Sequence, residues 1–158
     1  MDKIYIAHRG NTNGPNPNRE NDPTYIDEAI NAGFDVEVDV WCFDNKIFLG
    51  HDDAVYEVTS DWIYEHAKYA WYHAKNHSAL HCLLTMNYKK DNPVCTFFHN
   101  EDDYTLTSTG WIWAYPGKLG SLRTVAVMPE NYMTEVTFFD AVCSDYVERY
   151  KDGKIFSI

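Results

Sequence analysis

Apolar and polar residues alternate through residues 3–7 and again through 34–43, where Val36, Val38 and Val40 share one face and Glu37 and Asp39 the other. This period of two predicts strands, with Ile4 and Ile6 on one face of the first, and a third strand-like element over 46–50 after the turn-like Asp44-Asn45. Between the first two lies "GNTNGPNPNREND", a loop by its Gly, Asn and Pro content. A helix is expected after it: Asn21 or Asp22 can cap, Pro23 suits the first turn, Ile26, Ala29 and Ile30 form a stripe, and Gly33 can end it. Residues 60–69 read as a short helix capped by Ser60 or Asp61, 70–76 as a strand and 78–86 as a helix. Runs at 94–99, 110–115, 124–129 and 140–145 are strand-like, while weak helical signals over 87–123 predict loops between strands. Strands alternating with short helices predict an α/β chain with a mainly parallel sheet.

At 158 residues the chain is expected to form one domain, residues 1–158, that buries roughly 70% of its unfolded surface. Its 45% hydrophobic content supplies a core. No apolar run approaches the roughly 20 residues of a membrane span, and Met1-Asp2-Lys3 leads straight into a strand pattern, so a cytoplasmic protein is expected. A net charge of −11 argues against nucleic acid as a partner and fits small ligands, or anionic ones held through a cation. The four cysteines are scattered without a CxxC pair and read as free thiols.

Two acids on one face of a strand repel each other and lose hydration unless something compensates. A divalent cation does so, because Mg²⁺ and Ca²⁺ prefer carboxylate oxygen; a solvated edge strand is the plainer explanation of Glu37 and Asp39 alone. Their neighbours add weight to the cation. His8 ends the first strand and His51 follows the third element, and residues at the carboxyl ends of parallel strands meet around one mouth. Two histidines beside a cation can serve as general acid and base, and Arg9 can pair with phosphate oxygens.

In order along the chain, "AHRG" (7–10), "EN" (20–21), "GFDVEVDV" (33–40) and "GHD" (50–52) resemble the opening of the glycerophosphodiester phosphodiesterases. "DAVCSDY" (140–146) is similar to that family's last barrel strand. The resemblance implies a TIM-type barrel of the phosphatidylinositol-phospholipase-C-like superfamily. It assigns His8 and His51 as the acid/base pair, Glu37 and Asp39 as ligands of Mg²⁺ or Ca²⁺, and Arg9 and Glu20 as substrate-site residues. In the family a later strand supplies Glu-x-Lys; "YHAKN" (72–76) offers Lys75 for the phosphate, but His73 stands where the acid belongs. Either His73 is a ligand and the metal shifts toward Mn²⁺ or Zn²⁺, or Glu101 or Asp103 completes the site, or the protein binds without turnover.

Length sets a second departure, since such a barrel takes about 250 residues. A compact or incomplete TIM-type (β/α) barrel with short or missing helices is therefore expected, with self-association as one way to cover a bare outer wall. The expected function is metal-dependent cleavage of a small glycerol- or polyol-linked phosphodiester, the alternative a non-catalytic phosphate or sugar-phosphate binder. The aromatic stretch 99–118 reads as a substrate lid bearing Trp111, Trp113 and Tyr115, or as core packing for the two tryptophans. His99, Glu130 and Ser144-Asp145 also end strand-like runs; a cap or loop anchor accounts for the last pair. His66, His77 and His81 fall on helices or their flanks, where structural or surface roles are expected.

Overall fold

The alternating run at 34–43 becomes the longest strand and organises the sheet around it. The computed structural model describes residues 2–87 and 93–154. Among these residues ten strands are formed: β1 (Ile4–His8), β2 (Asp35–Phe43), β3 (Lys46–Leu49), β4 (Tyr56–Val58), β5 (Ala70–Ala74), β6 (Cys95–Phe97), β7 (Tyr104–Leu106), β8 (Ile112–Ala114), β9 (Thr124–Val127) and β10 (Ala141–Ser144). The helices are α1 (Pro23–Asn31), α2 (Ser60–His66), α3 (His77–Met86) and α4 (Val147–Lys151), with one 3₁₀ turn at Pro129–Tyr132.

The local signals explain the helices well. Asp22 caps α1 by accepting from the Thr24 amide, Pro23 opens it, and Ile26 and Ala29 bury their stripe. Thr59, one residue before the expected Ser60 or Asp61, caps α2, and Asn76 caps α3.

The TIM-type barrel expectation is corrected by the sheet itself, which is mixed and curls into a half-barrel. Its parallel strands run in the order β6-β5-β2-β1-β10-β9-β8, while β3 adds antiparallel to β2, β4 antiparallel to β3, and β7 antiparallel to β8. Among the described residues β6 pairs with β5 alone, so no ladder closes the ring. The two ends meet through isolated contacts instead: the Ser108 amide donates to the Thr96 carbonyl at 2.8 Å, the Ser108 hydroxyl accepts from the Thr96 amide, and the Phe97 and Trp113 rings lie 4.4 Å apart. Chain length is the physical reason. Eight strand–helix units need about 250 residues, and no α-helix separates β6 from β10 among the described residues. The loops expected between 87 and 123 contain β7 as well as β8, and residues 88–92 of that stretch lie outside the described residues.

Two layers of core follow from the strand period. On the convex side Val36, Val38, Val40, Ala7, Tyr72 and Leu83 pack beneath α1–α3. On the concave side Ile6, Trp71, Phe97, Trp111, Trp113 and Cys143 fill the base of the curl. Trp111 and Trp113 are thus core, not lid residues. Without helices over the later strands, Leu106, Leu119, Leu122 and Phe138 stay exposed. No helix among the described residues is long and apolar enough to cross a membrane. The four cysteines are free thiols.

Candidate metal and acid–base site

Register carries the site residues to one end of the concave face. β1 pairs with β2 so that His8 lies opposite Glu37, and β2 pairs with β5 so that Asp39 lies opposite His73. Because β2 alternates, its valines point into the convex core and both acids point the other way. Glu37 and Asp39 are 2% and 1% exposed, so both carboxylates are desolvated and depend on partners.

Those partners are largely cationic. His73 Nδ1 lies 3.2 Å from Asp39 Oδ1 and 3.6 Å from Glu37 Oε1. Lys75 Nζ lies 3.5 Å from the same Asp39 oxygen, and Arg9 Nε 3.2 Å from Asp39 Oδ2. Burial alone would raise the Asp39 pKa, but His73, Lys75 and Arg9 together hold it well below the usual carboxylate range. His73 shows the reverse balance: burial would lower its pKa, yet Asp39 and Glu37 push it up to about 9. Its other nitrogen, Nε2, donates to the His99 carbonyl at 2.9 Å, and Phe97 stacks on the ring at 5.1 Å. With Nε2–H committed to a carbonyl, Nδ1 faces the acids carrying either a proton or a lone pair.

His8 is held from behind. Its Nδ1–H donates to Asp145 Oδ1 at 2.8 Å, leaving Nε2 facing the site, 3.9 Å from Glu37 Oε2. Burial would lower its pKa; the bond to Asp145 and the charge of Glu37 outweigh that and raise it. Asn11, fully buried, donates to both Asp145 Oδ1 and Glu20 Oε1, at 2.8 and 2.9 Å. Glu20 in turn accepts from Arg9 Nη1 at 3.1 Å. Asn21 clamps Asp39 from two sides, donating to Oδ2 at 3.0 Å and accepting from the Asp39 amide at 2.9 Å.

Seven of the eight expected site residues (His8, Arg9, Glu20, Glu37, Asp39, His73 and Lys75) are therefore joined in one network. His51 stands apart. The Gly50 amide donates to the Asp39 carbonyl at 3.1 Å, which brings His51 beside the acid strand, but its Nδ1 pairs with Asp52 at 2.7 Å. Among the described residues it makes no hydrogen bond or ion pair with the network. A Cβ on Gly50, at φ 147°, would overlap the Asp53 carbonyl, so only glycine fits this turn. Glu101 and Asp103 do not complete the acid group; Asp103 pairs with Lys118 at 2.7 Å. Asn11 and the clamping role of Asn21 escaped the sequence, since both sit in a turn-rich loop where asparagine is ordinary. Asp145 stood out only as a strand end.

Glu37, Asp39 and His73 present ligand-type atoms within 4.8 Å of one another. Asp39 Oδ1 and Arg9 Nε are the buried side-chain polar atoms that lack a hydrogen bond among the described residues. A carboxylate oxygen with that lack, beside a second carboxylate and an imidazole lone pair, fits a divalent cation. The chain matches no protein-family model and no curated protein.

Proposed function

We propose that this protein is a divalent-cation-dependent phosphodiesterase that cleaves a glycerol- or polyol-linked phosphodiester by histidine acid–base catalysis. The observation that carries this reading is the buried Glu37–Asp39–His73 group, whose ligand-type atoms lie within 4.8 Å of one another, set beside His8 and Arg9. The resemblance of the HRG, EN, ExD and HD motifs to glycerophosphodiester phosphodiesterases supplies the substrate class.

Glu37, Asp39 and His73 Nδ1 are the residues that would hold the cation. A bound ion there neutralises phosphodiester charge and favours attack at phosphorus. One imidazole among two carboxylates suits Mn²⁺, Fe²⁺ or Zn²⁺ better than Ca²⁺. Arg9 and Lys75 share the remaining phosphate charge, Arg9 through its fork of donors. His8, fixed through Nδ1 by Asp145 and titrating above its ordinary value, is the proton donor to the leaving alkoxide through Nε2. His51, oriented by Asp52, is the base for water or for a neighbouring substrate hydroxyl. The first nucleophile gives a phosphomonoester and the second a cyclic phosphate.

The test is turnover of glycerophosphodiesters by chelator-stripped protein resupplied with Mg²⁺, Ca²⁺, Mn²⁺ or Zn²⁺, followed by phosphorus NMR. A new phosphomonoester or cyclic phosphate signal is expected, and it disappears in Glu37→Gln and His8→Ala with the fold intact by circular dichroism. A second reading, a phosphate or sugar-phosphate binder without turnover, draws on the separation of His51 from the network. It predicts binding that survives chelation and no product with any cation, and that outcome would overturn the enzyme.

A further inference from the structure

Helix α3 carries a second set of metal-type donors, away from the acids. His77 and His81 stand at i and i+4, so they share one helix face, and both are exposed. Their rings stack at 16° with centroids 6.5 Å apart. They line a groove of about 740 Å³ together with Asp44 and the two cysteines Cys42 and Cys82.

The groove is pinned by one side chain. Asn76 caps α3 by accepting from the Ala79 amide at 2.8 Å. The same amide group brackets Cys42 on β2, donating to its carbonyl at 3.0 Å and accepting from its amide at 3.4 Å. The start of α3 is thereby fixed against the end of β2 and the Asp44-Asn45 turn that follows it. Cys42 lies three residues beyond Asp39, and hence on the opposite face of the strand. The groove accordingly opens on the convex side, separate from the concave site.

We propose that this groove is a transition-metal site in which the His77 and His81 imidazoles together take a Zn²⁺, Ni²⁺ or Cu²⁺ ion. Two imidazoles on one tetrahedral ion at about 2.1 Å bring their ring centroids to about 5 Å. The observed 6.5 Å is within a small side-chain rotation of that spacing. Imidazole nitrogen selects these ions over Mg²⁺ and Ca²⁺. The amino end of α3 opposes a cation, which the Asp44 carboxylate lining the groove counters. Cys42 is buried and Cys82 half-buried, so the exposed imidazoles meet an ion first and water fills its remaining positions.

The experiment is calorimetric titration of the tag-free, chelator-stripped full chain with Zn²⁺, paired with Cu²⁺ electron paramagnetic resonance. His77→Ala and His81→Ala should each weaken this site at least about tenfold, as loss of an outer-sphere partner alone does. The Cu²⁺ spectrum should show two coupled nitrogens in wild type and fewer in either variant. Both histidines are exposed, so the variants should keep wild-type circular dichroism. His73→Ala should leave this event intact, which separates it from any binding at Glu37 and Asp39. A His77→Ala/His81→Ala protein that titrates like wild type, or a Cu²⁺ spectrum that the double substitution leaves unchanged, would overturn the proposal.

Discussion

His73 and Asp39 occupy paired positions on adjacent parallel strands, and Nδ1 of the one lies 3.2 Å from Oδ1 of the other. One proton, or one cation, satisfies both. Which of them is present sets how stability and metal affinity depend on pH.

The first prediction concerns that proton. The folded-state pKa of His73 is pushed to about 9, above its ordinary value of 6.5. The folded state thus binds the proton more tightly, and its stabilisation is full below about pH 6.5 and lost as pH rises through 9. Chelator-treated wild type should lose about 3 kcal/mol of unfolding free energy over that window. His73→Gln should lose most of that decline in urea titrations, keeping only the share of His8, whose pKa is also raised by Asp145 and Glu37. Saturating Zn²⁺ or Mn²⁺ should reduce the decline likewise, since the ion then stands in for the proton; a decline undiminished in His73→Gln would assign it elsewhere.

Asp145 is a positioning residue for His8. Asp145→Asn should cut turnover by about 10²-fold or more, because the imidazole loses both its orientation and its counter-charge. The alkaline limb of the pH–rate profile should move to lower pH while phosphodiester binding changes little. A substitution that only weakened binding, with the profile unmoved, would assign Asp145 to substrate contact.

Asn21 should prove structurally costly to remove. It makes two buried hydrogen bonds to Asp39 and holds a left-handed φ of 62°, a conformation asparagine tolerates better than most residues. Asn21→Ala should destabilise by about 2–4 kcal/mol, read as a lower urea midpoint with an unchanged slope. A midpoint near wild type would show that Asp39 is held well enough by its cations.

Asp35, at the opposite end of β2, predicts a stabilising substitution. Burial pushes its carboxyl up to about 6, against the Trp71 indole N–H, which donates at 2.9 Å, and the charge of Lys68. A raised carboxyl costs nothing below about pH 4, and its penalty grows through pH 4–6 and is full above. Asp35→Asn keeps an acceptor for Trp71, so it should gain about 2–3 kcal/mol at pH 7.5 and nothing near pH 4. Thermal melts at both values decide it: equal shifts at the two pH values would exclude the carboxylate as the cause.

The sequence by itself determined the elements whose causes are local. Alternation at 34–43 set which face of β2 carries Glu37 and Asp39, because strand side chains alternate whatever lies around them. Asp22-Pro23 and the 26, 29, 30 stripe likewise defined α1. Motif order along the first third of the chain also brought His8, Arg9, Glu20, Glu37 and Asp39 together as candidates before any contact was known. Tertiary structure decided what depends on distant chain. Asp145 reaches His8 across 137 positions, and the pairing exists only because β10 lies beside β1. The direction of β3, antiparallel to β2, and the failure of β6 to pair beyond β5 turned an expected barrel into a curled half-barrel. Closure is a balance between ladder bonds gained at the last seam and chain spent on covering helices. No period or motif in 158 residues records that balance.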